Sequence, residues 1–495
     1  MDRTDHNALL ALALGLVALG APACAAEDAL PGTRIPYNPT GGGGREGGDL
    51  VWKTSFGHAA GDSPQYVRDI AVLPEEGHLF AVMEFDVQLD IPNVMGAPLL
   101  TAGVADTALV KMSAVEGNAL WAKQLGNGYA QVRTTVAVDK VGSVVLAGGW
   151  EGPLAVDAQA SVEFGGLDVF VMKLDSSGVA QWIYRAGDVE AQYATDVALD
   201  PEGNVIVVGV VKGTLDFGDA VPSAPSPGTD IFVLKLDPAG KHLWHQRVGR
   251  AASDDPNNPS ASVEVMPSGD IVIAGNLTET LAFSGCTLPQ YGGSDAFVAR
   301  LAPDGTCVFG RTFGPTEDQR VYGLAIGPSD EILVTGDFVG TLDLGGDAAL
   351  ESKGGADLFV LALDAAGKNL WSRRFGSFGP QTGRSIAVAP SGEIVVGGEY
   401  RGVLEFYGED AVVNEQSGNG PTDAFVLKLD AAGQVLWGKG FGADESQGAT
   451  TVVFDGKGQS IVGGWFERDL RLSPDETLTN SSGNSYDAFV FALSP

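Results

Sequence analysis

The chain is built of short runs in which apolar and polar residues alternate, each bounded by glycine, proline or aspartate. A representative unit begins at Asp423 with the sequence DAFVLKLD, continues through an Asp-x-x-Gly turn, and enters a second run that carries Trp437. Alternation with a period of two residues is typical of β-strands, and nothing in the pattern predicts a long helix. The pattern therefore predicts an all-β fold.

This unit recurs seven times, and its most regular mark is an aspartate that opens a strand. The aspartates are Asp106, Asp168, Asp230, Asp295, Asp357, Asp423 and Asp487, at intervals of 62, 62, 65, 62, 66 and 64 residues. The next strand carries an aromatic residue, which is Trp121, Trp182, Trp244, Phe309, Trp371 or Trp437. A second hairpin turns on Gly77, Gly142, Gly203, Gly269, Gly392 or Gly458, and Asp330 takes the glycine position once. Four strands in each unit, repeated seven times, predict a seven-bladed β-propeller with four-stranded blades.

The two ends of the repeat array are complementary. The first recognisable piece, from Leu50 to Gly57, matches the fourth strand of the unit alone, and the last piece, from Asp487 to Leu493, matches the third strand. We therefore expect the N-terminal strand to complete the last blade. Such closure removes the open sheet edge that a linear array would leave.

The recurring run Asp-x-Phe-Val-x-Lys-Leu-Asp-x-x-Gly-x-x-x-Trp, followed by Ala-Val-x-x-x-Gly-x-Ile-x-Val-x-Gly, resembles the seven-bladed β-propeller (SBBP) repeat family of bacterial exported proteins. The resemblance covers roughly residues 50 to 495. It implies a secreted or surface propeller and very little about the ligand. A weaker similarity is to the pyrroloquinoline-quinone propellers, which share Leu-Asp-x-x-Gly-x-x-x-Trp. Those are typically eight-bladed with a much shorter repeat, and the seven aspartates argue against them.

The first 26 residues are predicted to be an export signal. Ala8 to Ala21 forms an apolar run of 14 residues, which is too short to span a bilayer but typical of a signal-peptide core. Two hypotheses for its removal stay open. Cleavage at an Ala-x-Ala motif would release a secreted protein, whereas the sequence ending in Cys24 resembles a lipobox and would make Cys24 the acylated first residue of an outer-membrane lipoprotein. Residues 27–48 contain four consecutive glycines and are predicted to be a flexible tether before the propeller, residues 49–495.

The charge of the chain excludes some classes of partner. Lys and Arg number 30 against 63 Asp and Glu, so the formal net charge is −33. So acidic a chain repels phosphate backbones and anionic headgroups, and we expect no nucleic acid partner and no membrane contact beyond a lipid anchor. Five histidines and three cysteines cannot form a zinc cluster at their spacing. No nucleophile, zinc-protease or dinucleotide motif occurs, so we expect that the protein is not an enzyme.

The long connections of the repeat indicate where a partner would bind. First-to-second and third-to-fourth strand turns are tight, so all long connections are predicted to fall on one face. Near that face stands a ring of side-chain amides, one in each unit, six residues before the inner-strand Ala-Val pair. Its members are Gln65, Gln131, Gln192, Asn258, Gln319, Gln381 and Gln447. These amides could form a ring that binds a polar ligand, or they could satisfy backbone groups of the loops; sevenfold recurrence favours the structural interpretation.

Two further predictions concern cysteine and calcium. Cys286 and Cys307 lie 21 residues apart in one unit and, in an oxidising compartment, are predicted to form a disulfide. The acidic loop from Asp254 to Asn258 lacks the interleaved Asp-x-Asp-x-Asp spacing of a calcium site. We therefore expect no cofactor, with calcium as the alternative.

Taken together, these features predict an exported, monomeric binding or scaffolding propeller at the bacterial surface, with an extracellular protein or glycan as its partner. Two alternatives stay open. A lyase- or hydrolase-type propeller acting on extracellular polysaccharide would need an asymmetric cluster of acids or a histidine in the channel. An outer-membrane assembly lipoprotein of the quinone-type class would be supported by eight blades.

Overall fold

Seven antiparallel sheets of four strands each make up the computed structural model, and each sheet is one blade of a β-propeller. The structure describes residues 47–58, 64–92, 99–100, 105–126, 131–161, 165–214, 216–217, 226–252, 261–314, 317–346, 348–406, 411–413, 421–480 and 485–495. All of them belong to one compact unit, residues 39–495. No helix occurs among these residues, and so none is present there that could cross a membrane.

The strands are named first to fourth by their order within a blade, and the blades are numbered along the chain. The first strands are Gln65–Leu73, Gln131–Val138, Gln192–Leu199, Ala261–Val265, Gln319–Ile326, Gln381–Val388 and Gln447–Phe454. The second strands are His78–Phe85, Val144–Glu151, Val205–Gly213, Ile271–Leu277, Ile332–Phe338, Ile394–Tyr400 and Ser460–Glu467. The third strands are Asp106–Ser113, Leu167–Leu174, Ser226–Leu236, Asp295–Leu301, Asp357–Leu363, Asp423–Leu429 and Tyr486–Leu493. The fourth strands are Ala119–Gln124, Ala180–Ala186, His242–Arg250, Cys307–Phe313, Asn369–Phe375, Val435–Phe441 and, for blade seven, Leu50–Phe56.

The predicted fold and its closure are confirmed. Leu50–Phe56 pairs antiparallel with Tyr486–Leu493, with Trp52 opposite Ala492 and Phe56 opposite Ala488. The first strands of successive blades contact one another around the whole ring, so they lie innermost and line the central channel. The hydrophobic core lies between blades, which is why a third strand such as Asp357–Leu363 is buried at every position. Each blade is covered on both faces by its neighbours.

The two ends of the chain together rebuild the one turn that the sequence interrupts. In blade six, Gly433 N–H donates to Asp430 O (2.9 Å) and Asp430 N–H to Gln434 O (2.9 Å). In blade seven, Gly48 N–H donates to Ser494 O (3.1 Å) and Ser494 N–H to Asp49 O (2.8 Å). Gly48 also has the left-handed φ of +73° that Gly433 has at +72°. The third-to-fourth turn of blade seven is therefore complete without a covalent link.

The predicted first-to-second turns are confirmed in detail. Their six glycines have φ between +66° and +86°, a region that glycine enters without steric cost. Asp330, the residue that replaces glycine in blade five, has φ +65°. Aspartate tolerates this conformation better than most side chains.

The long second-to-third connections contain short strands of their own. In six blades they contain a small hairpin, formed by the strand pairs Gln88–Leu89 and Leu99–Leu100, Leu154–Val156 and Gln159–Ser161, Leu281–Phe283 and Cys286–Leu288, Thr341–Leu342 and Leu350–Glu351, Val403–Glu405 and Ala411–Val413, and Asp469–Ser473 and Glu476–Thr479. The hairpin of blade two packs on fourth strands: Asp157 Oδ2 accepts from Lys123 Nζ (2.5 Å) and from Ala180 N–H (2.8 Å). In blade seven, Glu476 forms an ion pair with Lys53. Most of these hairpins contact fourth strands, so they lie toward the outer rim of the ring.

Candidate binding site beside the central channel

The predicted amides are buried, and several of them donate side-chain hydrogen bonds to backbone carbonyls of the same blade, as two examples show. Gln65, Gln131, Gln192, Gln319, Gln381 and Gln447 are all at most 1% exposed. Gln192 Nε2 donates to Lys212 O at 2.8 Å, and Gln447 Nε2 donates to Asp469 O at 3.2 Å. Lys212 lies at the end of its second strand, and Asp469 lies in the connection that follows its second strand. This geometry supports the structural interpretation of the ring; Asn258 lies outside the described residues.

The aspartates that open the third strands are likewise built into the repeat. Asp357 Oδ2 accepts from Lys353 N–H (3.0 Å) and from Arg374 (2.6 Å). A Cβ on Gly376, which follows the fourth strand, would lie 2.9 Å from the Asp357 carboxyl carbon. The aspartate therefore occupies space that only glycine leaves open.

A first-strand position that is polar in six blades ties those blades to their neighbours. It lies four residues after the amide and is Asp69, Thr135, Asp196, Ser262, Ser385 or Thr451, whereas blade five has Gly323 there. Asp69 Oδ2 accepts from Val136 N–H at 2.9 Å, and Asp196 Oδ2 accepts from Val263 N–H at 2.9 Å. Ser385 Oγ makes the same bond to Val452 N–H at 3.1 Å. These side chains hold the inner ends of the blades together.

Side chains that depart from the repeat are better candidates for function, because structural devices recur in every blade. Trp465 stands where the other blades have Glu84, Gly149, Val210, Asn276, Asp337 and Glu399. Tyr486 stands where they have Ala105, Leu167, Thr229, Ser294, Ala356 and Thr422. The rings of Trp465 and Tyr486 are 4.9 Å apart, and Tyr66 of blade one lies 5.7 Å from Tyr486. All three rings are half-buried and so retain solvent-facing surface.

Two arginines adjoin this aromatic group. The Arg68 guanidinium lies 5.0 Å over the Tyr66 ring and donates to Glu84 Oε2 at 2.6 Å. In blade two, Arg133 has a left-handed backbone, with φ +54°, and its N–H donates to Glu84 Oε1 at 2.7 Å. The pairing of its strand is interrupted between Val132 and Thr135. We call Tyr66, Arg68, Arg133, Trp465 and Tyr486 the aromatic–arginine site.

A carboxylate that departs from the repeat lies deeper in the channel. Glu264 of blade four stands six residues after the amide, where other blades have Ala71, Ala137, Ala198, Ala325, Ala387 and Val453. Burial, with the charges of Asp196 and Asp69, raises the pKa of Glu264 to about 8. Burial and the charge of Asp69 raise the pKa of Asp196 to about 7. Burial also raises the pKa of Asp69. The described residues contain no group of three or more His, Cys, Asp or Glu that could hold a metal ion.

The aromatic–arginine site was not predicted from the sequence. The sequence pattern marks residues that recur, whereas Trp465, Tyr486, Arg133 and Glu264 are recognised by not recurring. Superposing the seven units position by position would have singled them out. Trp465 and Tyr486 lie near Tyr66 only because closure of the ring makes blades seven and one neighbours.

The predicted disulfide between Cys286 and Cys307 is present, whereas acylation of Cys24 stays a prediction. Cys286 and Cys307 are disulfide-bonded with their Cα atoms 5.7 Å apart. The bond ties the small hairpin of blade four to the fourth strand of that blade. Cys24 and the acidic loop from Asp254 to Asn258 lie outside the described residues. His242 Nε2 and His245 Nδ1 are 3.1 Å apart on the outermost strand of blade three, remote from the channel strands.

Comparison with known proteins supports the propeller without assigning it a family. No family model matches the chain, so the SBBP resemblance is not confirmed. The chain is 32% identical over 461 residues to the regulatory protein FlaEY of Caulobacter vibrioides, covering 87% of this chain and 46% of that protein. It is 20% identical over 448 residues to the uncharacterized WD repeat-containing protein L264 of Acanthamoeba polyphaga mimivirus, covering 80% of this chain and 29% of that protein. The chain thus spans less than half the length of these two relatives.

Solved propellers similar to the chain include enzymes, which contradicts the expectation that the protein is not one. Puromycin hydrolase matches with a TM-score of 0.43 and 13% identity, covering 83% of this chain and 51% of that one. Quinohemoprotein alcohol dehydrogenase from Comamonas testosteroni matches with a TM-score of 0.40 and 13% identity, covering 90% and 76%. The absence of sequence motifs was therefore an insufficient ground for that expectation. At such low identity, the likeness transfers no activity to this chain.

Proposed function

We propose that the protein is an exported binding propeller whose partner, an extracellular protein or glycan, docks at the long-loop end of the central channel. One observation carries the proposal: Trp465, Tyr486 and Arg133 break the repeat and lie together with Tyr66 and Arg68. Binding sites combine apolar and aromatic surface with a few placed polar groups, as this one does. Because the small hairpins turn to the outer rim, the inner part of this face is the docking surface.

Ligand arrays test the proposal directly. Purified protein is applied to a glycan and peptidoglycan array with and without calcium, beside the variants Trp465→Ala and Tyr486→Ala. Leu370→Ala is the matched control, since Leu370 is an exposed apolar side chain (52%) on a fourth strand. We expect both aromatic variants to lose at least about tenfold in affinity, as truncation of a central aromatic contact commonly does. Unchanged binding by both variants would move the site elsewhere. A dependence on calcium would replace the expectation of no cofactor.

Export and monomeric state belong to the same proposal and have separate tests. If Cys24 is acylated, Cys24→Ser moves the protein from the membrane fraction to the soluble fraction. A wild-type protein that is soluble, with a mature N-terminus beyond Cys24, supports secretion instead. Light scattering of the purified propeller should give the mass of one chain.

A further inference from the structure

The aromatic–arginine site concentrates positive charge within a strongly acidic chain. Arg68 and Arg133 come from the first strands of adjacent blades, and burial together with the charge of Arg68 lowers the pKa of Arg133 to about 10. Glu84 lies between them and uses one oxygen for Arg68 and the other for the Arg133 backbone N–H. Glu84 thus fixes the Arg68 guanidinium and the Arg133 backbone, and the two guanidiniums lie within electrostatic range of each other. Such an arrangement is stabilised when an anion binds.

The backbone of Arg133 is held in a costly conformation at this place. Other blades put a small or apolar buried residue at the equivalent position, namely Val67, Ala194, Val321, Gly383 or Ala449. Arg133 instead has φ +54° and is fixed there by Glu84. Strained residues persist where surrounding contacts over-determine them, and they cluster at ligand sites. The strained backbone thus places an arginine side chain at a position where other blades have a small or apolar residue.

The aromatic part of the site is continuous with the cationic part. Arg68 lies over Tyr66, Tyr66 contacts Tyr486, and Tyr486 contacts Trp465 edge-on. The ligand must therefore carry an anionic group beside a surface that packs on aromatic rings.

Building on the proposed function, we infer that the site binds a carboxylate-bearing saccharide. The carboxylate pairs with Arg133 and Arg68, and the apolar face of the sugar ring packs on Trp465 and Tyr486. The net charge of −33 repels anions at long range. At physiological ionic strength the Debye length is about 8 Å, so the nearby arginines decide binding.

Calorimetry with matched probes tests this inference. The probes are oligosaccharides of galacturonate, mannuronate and glucuronate, each compared with its methyl ester, which keeps the ring and removes the charge. We expect at least one acid to bind, and its ester to bind at least about tenfold more weakly. Arg133→Gln should weaken the acid to the level of the ester and leave the ester unchanged. Trp465→Ala should weaken both forms.

Controls separate this inference from the proposed function. Lys212→Gln removes a half-exposed positive charge from another blade and should change nothing. Unfolding temperatures of the variants verify that the fold is kept. Acid and ester binding equally, or no binding of any acid up to millimolar concentration, overturns the acidic-saccharide inference. If Trp465→Ala still weakens binding of a ligand from the array in that case, the proposed docking site is kept. If neither Trp465→Ala nor Arg133→Gln weakens binding of any ligand, the docking site and the acidic-saccharide inference are both wrong.

Discussion

Trp52 packs its indole ring on Gly117 and so joins the last blade of the ring to the first. The indole Nε1–H donates to Ala114 O at 3.0 Å, and Thr54 Oγ1 donates to Gly117 O at 2.8 Å. The same contact recurs around the ring, where a fourth-strand aromatic lies against the third-to-fourth turn glycine of the next blade. Its other pairs are Trp121 with Gly178, Trp182 with Gly240, Trp244 with Gly305, Phe309 with Gly367 and Trp371 with Gly433, while Trp437 lies against Gly47 and Gly48. The aromatic residue and the turn glycine that recur in the sequence therefore recur because they contact each other across neighbouring blades.

Substitution of Gly117 should destabilise the ring through this contact. A Cβ there would lie 2.3 Å from the Trp52 ring, and φ is +72°. The control is Gly77→Ala, where φ is +66° but the nearest atom is 3.5 Å away. Both variants should lose about 1 kcal/mol from left-handed strain, and Gly117→Ala should lose about 1–3 kcal/mol more from overpacking. Equal losses in chemical denaturation would show that the contact does not hold the blades together.

Ser494 should be needed for the turn that the chain ends rebuild. Its Oγ accepts from Asp49 N–H at 2.9 Å, as Asp430 Oδ1 accepts from Gln434 N–H at 2.8 Å in blade six. Ser494→Ala should cost about 1 kcal/mol, whereas Ser494→Asp should retain the bond. Thermal unfolding measures both. If Ser494→Asp is as unstable as Ser494→Ala, the equivalence to Asp430 is wrong.

Stability should fall as pH rises from about 4 to about 8. In the unfolded chain Glu264 and Asp196 titrate near pH 4, but in the folded protein their pKa values are about 8 and about 7. The folded state therefore binds more protons in this range, and the stability present at acid pH is lost as the two groups ionise.

Glu264→Gln tests the contribution of Glu264, whose pKa is the higher of the two, to this pH dependence of stability. The variant should be more stable than the wild type by about 1 kcal/mol or more at pH 9 and should show a smaller loss between pH 4 and 8. Glu279→Gln is the control, because Glu279 is 63% exposed in the same blade. Parallel pH profiles for wild type and Glu264→Gln, measured by urea denaturation, would contradict the assignment.

The disulfide should be found in the native protein and should stabilise blade four. Mass spectrometry of unreduced, alkylated protein should show Cys286 and Cys307 linked. Their double replacement by serine should cost up to about 3 kcal/mol, because the bond closes a loop of about 20 residues. Two alkylated thiols in native protein would disprove the bond.

The sequence by itself determined the blade count, the strand order and the closure. These follow from local regularities: the seven aspartates, the turn glycines with Asp330 among them, and the complementary ends at Leu50 and Leu493. A repeat of this kind can be interpreted one unit at a time, because each unit contacts only its neighbours and every unit meets the same steric demands. The outward path of the small hairpins could not be inferred in this way, since it depends on their contacts with fourth strands.

Only the tertiary structure decided which unrepeated residues meet. Trp465 and Tyr66 are almost 400 positions apart in the sequence, yet they lie 6.4 Å apart because closure makes blades seven and one neighbours. The raised pKa values of Glu264 and Asp196 likewise arise because first strands of successive blades converge on one channel, where packing buries both carboxyl groups near Asp69. Strand patterns encode which face of a strand is buried. The circular packing of the blades determines which charged groups and aromatic rings share a site. The spacing of residues within one unit carries no information about these contacts between blades.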